Sequence, residues 1–126
     1  MAGRVVHFEV PFDDAERATA FYGDVFGWQI MAMPEFDYHG VSTGPVGDQG
    51  MPAEPGYIGG GMFKRQDGGP SMPVVTIDVD DIDATLAEIE GKGGSTVQQK
   101  VPVGEMGFAA YFKDPEGNVM GLWQSA

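Results

Sequence analysis

Two short segments of this chain nearly repeat each other, and that repetition limits the possible folds more than any other feature. Val5-Val6-His7-Phe8-Glu9-Val10 can be laid over Val74-Val75-Thr76-Ile77-Asp78-Val79. Three valines are identical, one position is apolar in both copies and one is acidic in both, while His7 aligns with Thr76. The first copy alternates as a strand does, with Val6, Phe8 and Val10 on one face and Val5, His7 and Glu9 on the other. A helical pattern follows each copy. After the first, Asp13 with Glu16 reads as a capping box. Ala18, Phe21, Tyr22, Val25 and Phe26 then recur at helical spacing, a stripe expected to pack on the apolar face of the first strand, and Gly27 closes the helix. After the second copy, Asp80 or Asp81 offers an N-cap. Ile82, Leu86 and Ile89 form the stripe there, with Thr85 interrupting it, and the helix is expected to end at Gly91 or at Gly93-Gly94.

Three strands are predicted behind each helix: 28–33, 38–43 and 57–64 in the first half, and 95–100, 107–113 and 118–124 in the second. Asp114-Pro115-Glu116-Gly117-Asn118 joins the last two strands as a tight hairpin, because Pro fixes φ, Gly accepts φ > 0, and Asp and Asn can bond their own backbone. The Gly- and Pro-rich segment 44–55 reads either as a lid or as an ordinary surface loop. The clearest linker is 65–72. The expected organisation is one α+β domain spanning 1–126, built from module one (1–64), the linker (65–72) and module two (73–126), each module reading β-α-β-β-β.

At 126 residues the chain is long enough for one core and too short for two ordinary domains. It has no cysteine, so disulfides, thiolate zinc sites and a cysteine nucleophile are excluded. The formal net charge of −12 repels phosphate backbones and anionic membranes. Nucleic acid and membrane are therefore not expected as partners. No apolar run reaches the length of a membrane span, and the first residues do not read as a leader, so a cytoplasmic protein is expected.

With Phe21-Tyr22 through Phe26-Gly27 in the first helix and Phe112-Lys113-Asp114-Pro115-Glu116-Gly117-Asn118 in the last hairpin, the duplicated pattern resembles the vicinal oxygen chelate superfamily, which includes glyoxalases and bleomycin-resistance proteins. The resemblance covers essentially the whole chain. It implies that each module curls its sheet into a half-barrel with the helix outside, that the concave faces enclose a small-molecule cavity between the modules, and that the protein is a homodimer.

On that reading the strand faces opposite the helices carry the site: His7 and Glu9 in the first strand, Thr76 and Asp78 in its repeat. Polar groups left unpaired in such a place cost about 1–3 kcal/mol each, so they call for partners, water or a ligand. Trp28, Tyr57, Phe63, Tyr111 and Trp123 either pack in the core or stack on a planar ligand. Of these, Tyr57, Tyr111 and Trp123 join Thr76 and Asp78 as predicted ligand-binding residues. His39 reads as structural or solvent-facing. Gly59-Gly60-Gly61 lacks the Lys-Ser/Thr of a phosphate loop and reads as a flexible or bulged strand that lets something approach the backbone.

The resemblance also implies metal ligands on the first and last strands of each module. His7 stands at the first such position, but the others fall at Gly59 to Gly61, at Val74 or Thr76, and near Gly121. The standard metal site is therefore not expected, and no cofactor is predicted. The one divalent-metal site the residues allow is improvised from His7, Glu9 and Asp78, although His7 and Glu9, about 6.6 Å apart along a strand, are awkward joint ligands. Two functions stay open. One is capture of a small organic molecule in the cavity. The other is a glyoxalase-like lyase or isomerase acting on a small oxygenated substrate, with His7 as acid/base or metal ligand. In the second, Glu9 is expected to favour the imidazolium and place His7's titration near neutrality.

Overall fold

The computed structural model describes residues 3–126, with Gln49 described by its backbone alone. The elements run β1 Val5–Phe12, α1 Ala15–Phe26, β2 Gln29–Met33, β3 Tyr38–Ser42, β4 Gly60–Lys64, then β5 Val74–Asp78, α2 Ile82–Gly91, β6 Ser95–Val103, β7 Gly107–Lys113 and β8 Val119–Ser125. This is the α+β class, with the β-α-β-β-β order occurring twice, as the repeat predicts. Among the described residues, no helix is long and apolar enough to cross a membrane.

Contacts divide the chain into an N-terminal unit of residues 7–73 and a C-terminal unit of residues 74–126 together with 3–6. The start of β1 thus belongs with β5: the Asp78 amide donates to the Arg4 carbonyl (2.8 Å), and the Gly3 amide donates to the Asp78 carbonyl (2.6 Å). In the N-terminal unit the strand order is β2-β3-β4-β1, with β1 and β4 parallel and the other neighbours antiparallel. In the C-terminal unit it is β5-β8-β7-β6, with β5 and β8 parallel and the rest antiparallel. Within each module the first strand therefore pairs with the last.

The C-terminal core gathers Ile82 and Leu86 of α2 with Ala110, Phe112 and Leu122 of the sheet. Asp81 caps α2 by accepting from the Ala84 amide (3.0 Å), and Gln124 of β8 accepts from the Ile82 amide (2.8 Å), tying the first turn to the sheet. The interrupting Thr85 donates to the Asp81 carbonyl (2.8 Å). At the β7–β8 turn, Asp114 Oδ1 accepts from the amides of Glu116 and Asn118 (both 2.9 Å) and Oδ2 accepts from the Asn118 side chain (3.0 Å). These bonds hold its carboxyl below the usual range, the Asn118 backbone contributing most.

The N-terminal core gathers Phe12, Val41 and Met62, with Phe8, Val10, Ala15, Ala18, Tyr22, Trp28 and Ile30 against it. Two expectations for α1 are corrected here. Its N-cap is Asp14, which accepts from the Arg17 amide (3.1 Å), while Asp13 pairs with Arg65 (3.2 Å). Only part of its stripe is covered: Ala18 and Tyr22 pack inward, whereas Phe21, Val25 and Phe26 are 54%, 57% and 60% exposed. A helix lying on a four-stranded sheet covers one row of side chains, and this stripe is wider than that row. Gly27 closes α1 in the left-handed region (φ 74°), as predicted. Trp28 stacks flat on Tyr22 (4.6 Å between centroids) and is a core residue.

Segment 44–55 folds back on itself through a Val46–Pro52 bridge and bonds from the Gly47 amide to Met51 (2.8 Å) and from the Ala53 amide to Pro45 (2.9 Å). Residues 57–59, predicted as strand, lie outside β4.

Candidate functional site

Alternation along β1 places Phe8 and Val10 toward the N-terminal core and His7 and Glu9 on the opposite face. Glu9 lies opposite Gly61 of β4, and Gly61 lies opposite Gly40 of β3. Tyr38, two residues before Gly40, projects from the same face. With no side chain on Gly61, the Tyr38 ring crosses β4 and brings its hydroxyl to β1. There it donates to Glu9 Oε2 (2.7 Å) and lies 2.9 Å from His7 Nε2. A methyl group on Gly61 would overlap the Tyr38 hydroxyl and the adjoining ring carbons. On the other face, the neighbouring Gly60 is occupied in the same way by the Phe8 ring and carbonyl. The glycine run therefore does admit a close approach, and of the two alternatives, flexible or bulged, the bulge is absent at Gly60 and Gly61, where β4 pairs in unbroken register with both neighbours.

Glu9 is buried at 8% exposure, and His7 is half-buried. A buried carboxyl needs donors, and the Tyr38 hydroxyl is one. Burial is the larger influence on His7 and holds its pKa below the ordinary 6.5, against the upward pull of Glu9. The expected net rise toward imidazolium is therefore corrected: desolvation wins over the nearby carboxylate. His39 points to the opposite face, edge-on to Phe12 (5.5 Å), so it is a core-facing residue.

The C-terminal candidates also fall on the face away from the helix. Thr76, buried at 6% exposure, lies opposite Gly121, which lies opposite Tyr111; Asp78 lies opposite Trp123. Thr76, Asp78, Tyr111 and Trp123 therefore share one face of this unit. The Trp123 ring leans over Gly107 of β7 (2.7 Å from where a Cβ would stand). Tyr57 is placed differently: its ring covers Gly44 and its hydroxyl accepts from the Ala53 amide (3.1 Å), stapling segment 44–55. An open groove of about 300 Å³ between α2 and the β7–β8 turn, floored by Ile89, Phe112 and Pro115, is lined by none of the predicted residues.

Tyr38 was not singled out by the sequence reading. The signal for it was a tyrosine two residues before one glycine, Gly40, that pairs with another, Gly61, but that pairing is set by strand order.

A bacterial relative from Vibrio parahaemolyticus, described as a probable lactoylglutathione lyase, is 30% identical over 98% of this chain and 91% of its own length. The chain belongs to the glyoxalase/bleomycin resistance/dioxygenase superfamily. The profile described as Bleomycin resistance protein-like N-terminal matches residues 4–44. The mitochondrial methylmalonyl-CoA epimerase of Mus musculus is 31% identical over 90% of this chain and 67% of that protein. Among solved structures, a methylmalonyl-CoA epimerase in complex with methylmalonyl-CoA and NH4+ superposes with a TM-score of 0.64 at 17% identity, covering 100% of this chain and 96% of the other. A superfamily member from Vibrio splendidus gives 0.61 at 15% identity, with both chains fully covered. At these identities the structural matches speak for the fold.

The resemblance to this superfamily implies a metal held by the first and last strands of each module, and the donors present do not fit one. The place a β4 side chain would take at Gly61 is filled by Tyr38, and a Cβ at Gly121 would stand 2.7 Å from Thr76 Oγ1. Among the described residues, no three His, Cys, Asp or Glu side chains are grouped to hold a metal.

Proposed function

We propose that this chain is a glyoxalase-like lyase or isomerase that moves a proton on a small oxygenated molecule, with His7 as the acid/base. The observation that supports this most is the His7–Tyr38–Glu9 chain on the face away from the core. Burial keeps the His7 imidazole neutral near pH 7, which is the form a general base needs. Two relatives are named for a lyase and an epimerase, the second acting on a CoA thioester. Inverting a centre beside a thioester carbonyl needs only the removal and return of one proton. In that step His7 takes the proton and the C–H electrons move into the carbonyl; the imidazolium then returns the proton to a neighbouring atom, or water protonates the other face while the imidazolium gives its proton to solvent.

The test is solvent-deuterium uptake into methylmalonyl-CoA and lactoylglutathione in heavy water, read by mass spectrometry. The wild type is expected to catalyse uptake into one of them, and His7→Gln to lose it by about 10²- to 10⁴-fold. Equal uptake in the variant would contradict the proposal.

A second reading, small-molecule capture without chemistry, is favoured by the bleomycin-resistance profile over residues 4–44. The charge of −12 suits a cationic ligand. A ligand that binds and is recovered unchanged, with neither thioester labelled, selects this reading. In both readings the protein is taken as a cytoplasmic homodimer, and native mass spectrometry tests its stoichiometry.

A further inference from the structure

The hydroxyl of Tyr38 has one proton, and both Glu9 and His7 lie within hydrogen-bond distance of it. The hydroxyl donates its proton to Glu9 Oε2 at 2.7 Å. The remaining contact, 2.9 Å to His7 Nε2, is then a hydrogen bond only if the imidazole donates and the tyrosine oxygen accepts. A neutral imidazole that donates from Nε2 has its lone pair on Nδ1.

We propose that Tyr38, anchored by Glu9, is a positioning residue that locks neutral His7 as the Nε2–H tautomer, so that Nδ1 is the atom that receives the substrate proton. This rests on the acid/base reading of His7 and adds to it the reacting atom and the two groups that select it. When Nδ1 takes a proton, the imidazolium donates more strongly to the tyrosine oxygen, whose own proton stays with Glu9. The positive charge is thereby opposed by a buried carboxylate one hydroxyl away. When the proton leaves, the same two bonds restore the starting tautomer. No net proton is gained and no bond in the relay is broken. Gly61 makes the arrangement possible, because any side chain there meets the Tyr38 hydroxyl.

Nitrogen-15 imidazole spectroscopy on the whole protein tests this without a substrate. The chain has two histidines, so signals are assigned by their loss in His7→Gln or His39→Gln. Above pH 7.5 the wild type is expected to show His7 with Nε2 at the shift of an N–H nitrogen and Nδ1 at that of a bare nitrogen. In Tyr38→Phe that bias is expected to collapse toward a mixture, a change that loss of packing alone would not produce. The wild-type measurement stands even where the variant folds poorly. An Nδ1–H tautomer in the wild type, or an unaltered tautomer in folded Tyr38→Phe, overturns the relay. Deuterium uptake retained in His7→Gln overturns the acid/base reading and its transfer step, while the tautomer still reports on the relay.

Discussion

The two units answer the same packing problem in opposite directions. Each has an acidic residue on its first strand, Glu9 or Asp78, on the face away from the helix, and each has a large aromatic lying over a glycine on the neighbouring antiparallel strand. In the N-terminal unit the residue opposite the acid is Gly61, so Tyr38 crosses from β3 over β4 and reaches Glu9 and His7. In the C-terminal unit the residue opposite the acid is Trp123 itself, which leans over Gly107 of β7, away from β5. Beside the acid stands glycine in one unit and tryptophan in the other, and the aromatic over the glycine reaches the acid only in the first. The repeat builds two similar sheets, and that one position differs between them.

The sharpest break in the comparison is His7→Gln, expected to lower deuterium uptake by about 10²- to 10⁴-fold while leaving the urea midpoint near wild type. Next is the pair Gly61→Ala and Gly107→Ala. Each forces an aromatic off its neighbour, and each is expected to cost about 1–3 kcal/mol in urea unfolding. Only Gly61→Ala should also randomise the His7 tautomer, because Gly107 lies under Trp123 and not under the relay. An equal spectroscopic effect from both would erase the distinction between the units.

A smaller effect is expected from pH. The unfolded chain takes up the His7 proton near 6.5, whereas the folded chain resists protonation to a lower pH because of burial. Stability is therefore full above 6.5 and falls as pH drops below it, until the folded pKa is passed. His7→Gln should flatten that part of the profile, with stability followed by urea midpoints across pH 5–8. The smallest effects belong to the helix caps, where the units agree: Asp14→Ala and Asp81→Ala should each cost about 1 kcal/mol, and Asp13→Ala clearly less. Equal losses at Asp13 and Asp14 in urea titrations would reinstate the earlier cap.

What was legible in the sequence was local. The Asp114 hairpin, the Gly27 cap and the doubled β-α-β-β-β order follow from turn chemistry and periodicity within a few residues. The strand alternation also placed His7, Glu9, Thr76 and Asp78 on the faces away from the helices. The aromatic stripe of α1 showed a helix but not how much of it would be covered, because spacing gives a face and not the size of its partner. Tyr38 was hidden for a related reason. Its role depends on β4 lying between β1 and β3, a pairing between segments about 20 to 50 residues apart that no local pattern encodes. The fall in His7's pKa was missed because the adjacent Glu9 is visible in the sequence and the burial that outweighs it is not.

The central claim is that Gly61 matters to catalysis only by letting the Tyr38 hydroxyl reach His7. A double-mutant cycle on Gly61→Ala and Tyr38→Phe, read as the rate of solvent-deuterium uptake in folded variants, tests it most directly. The account predicts that each single change slows uptake and that the double variant is no slower than the worse single one. Losses that multiply would show the two residues acting independently and would contradict it.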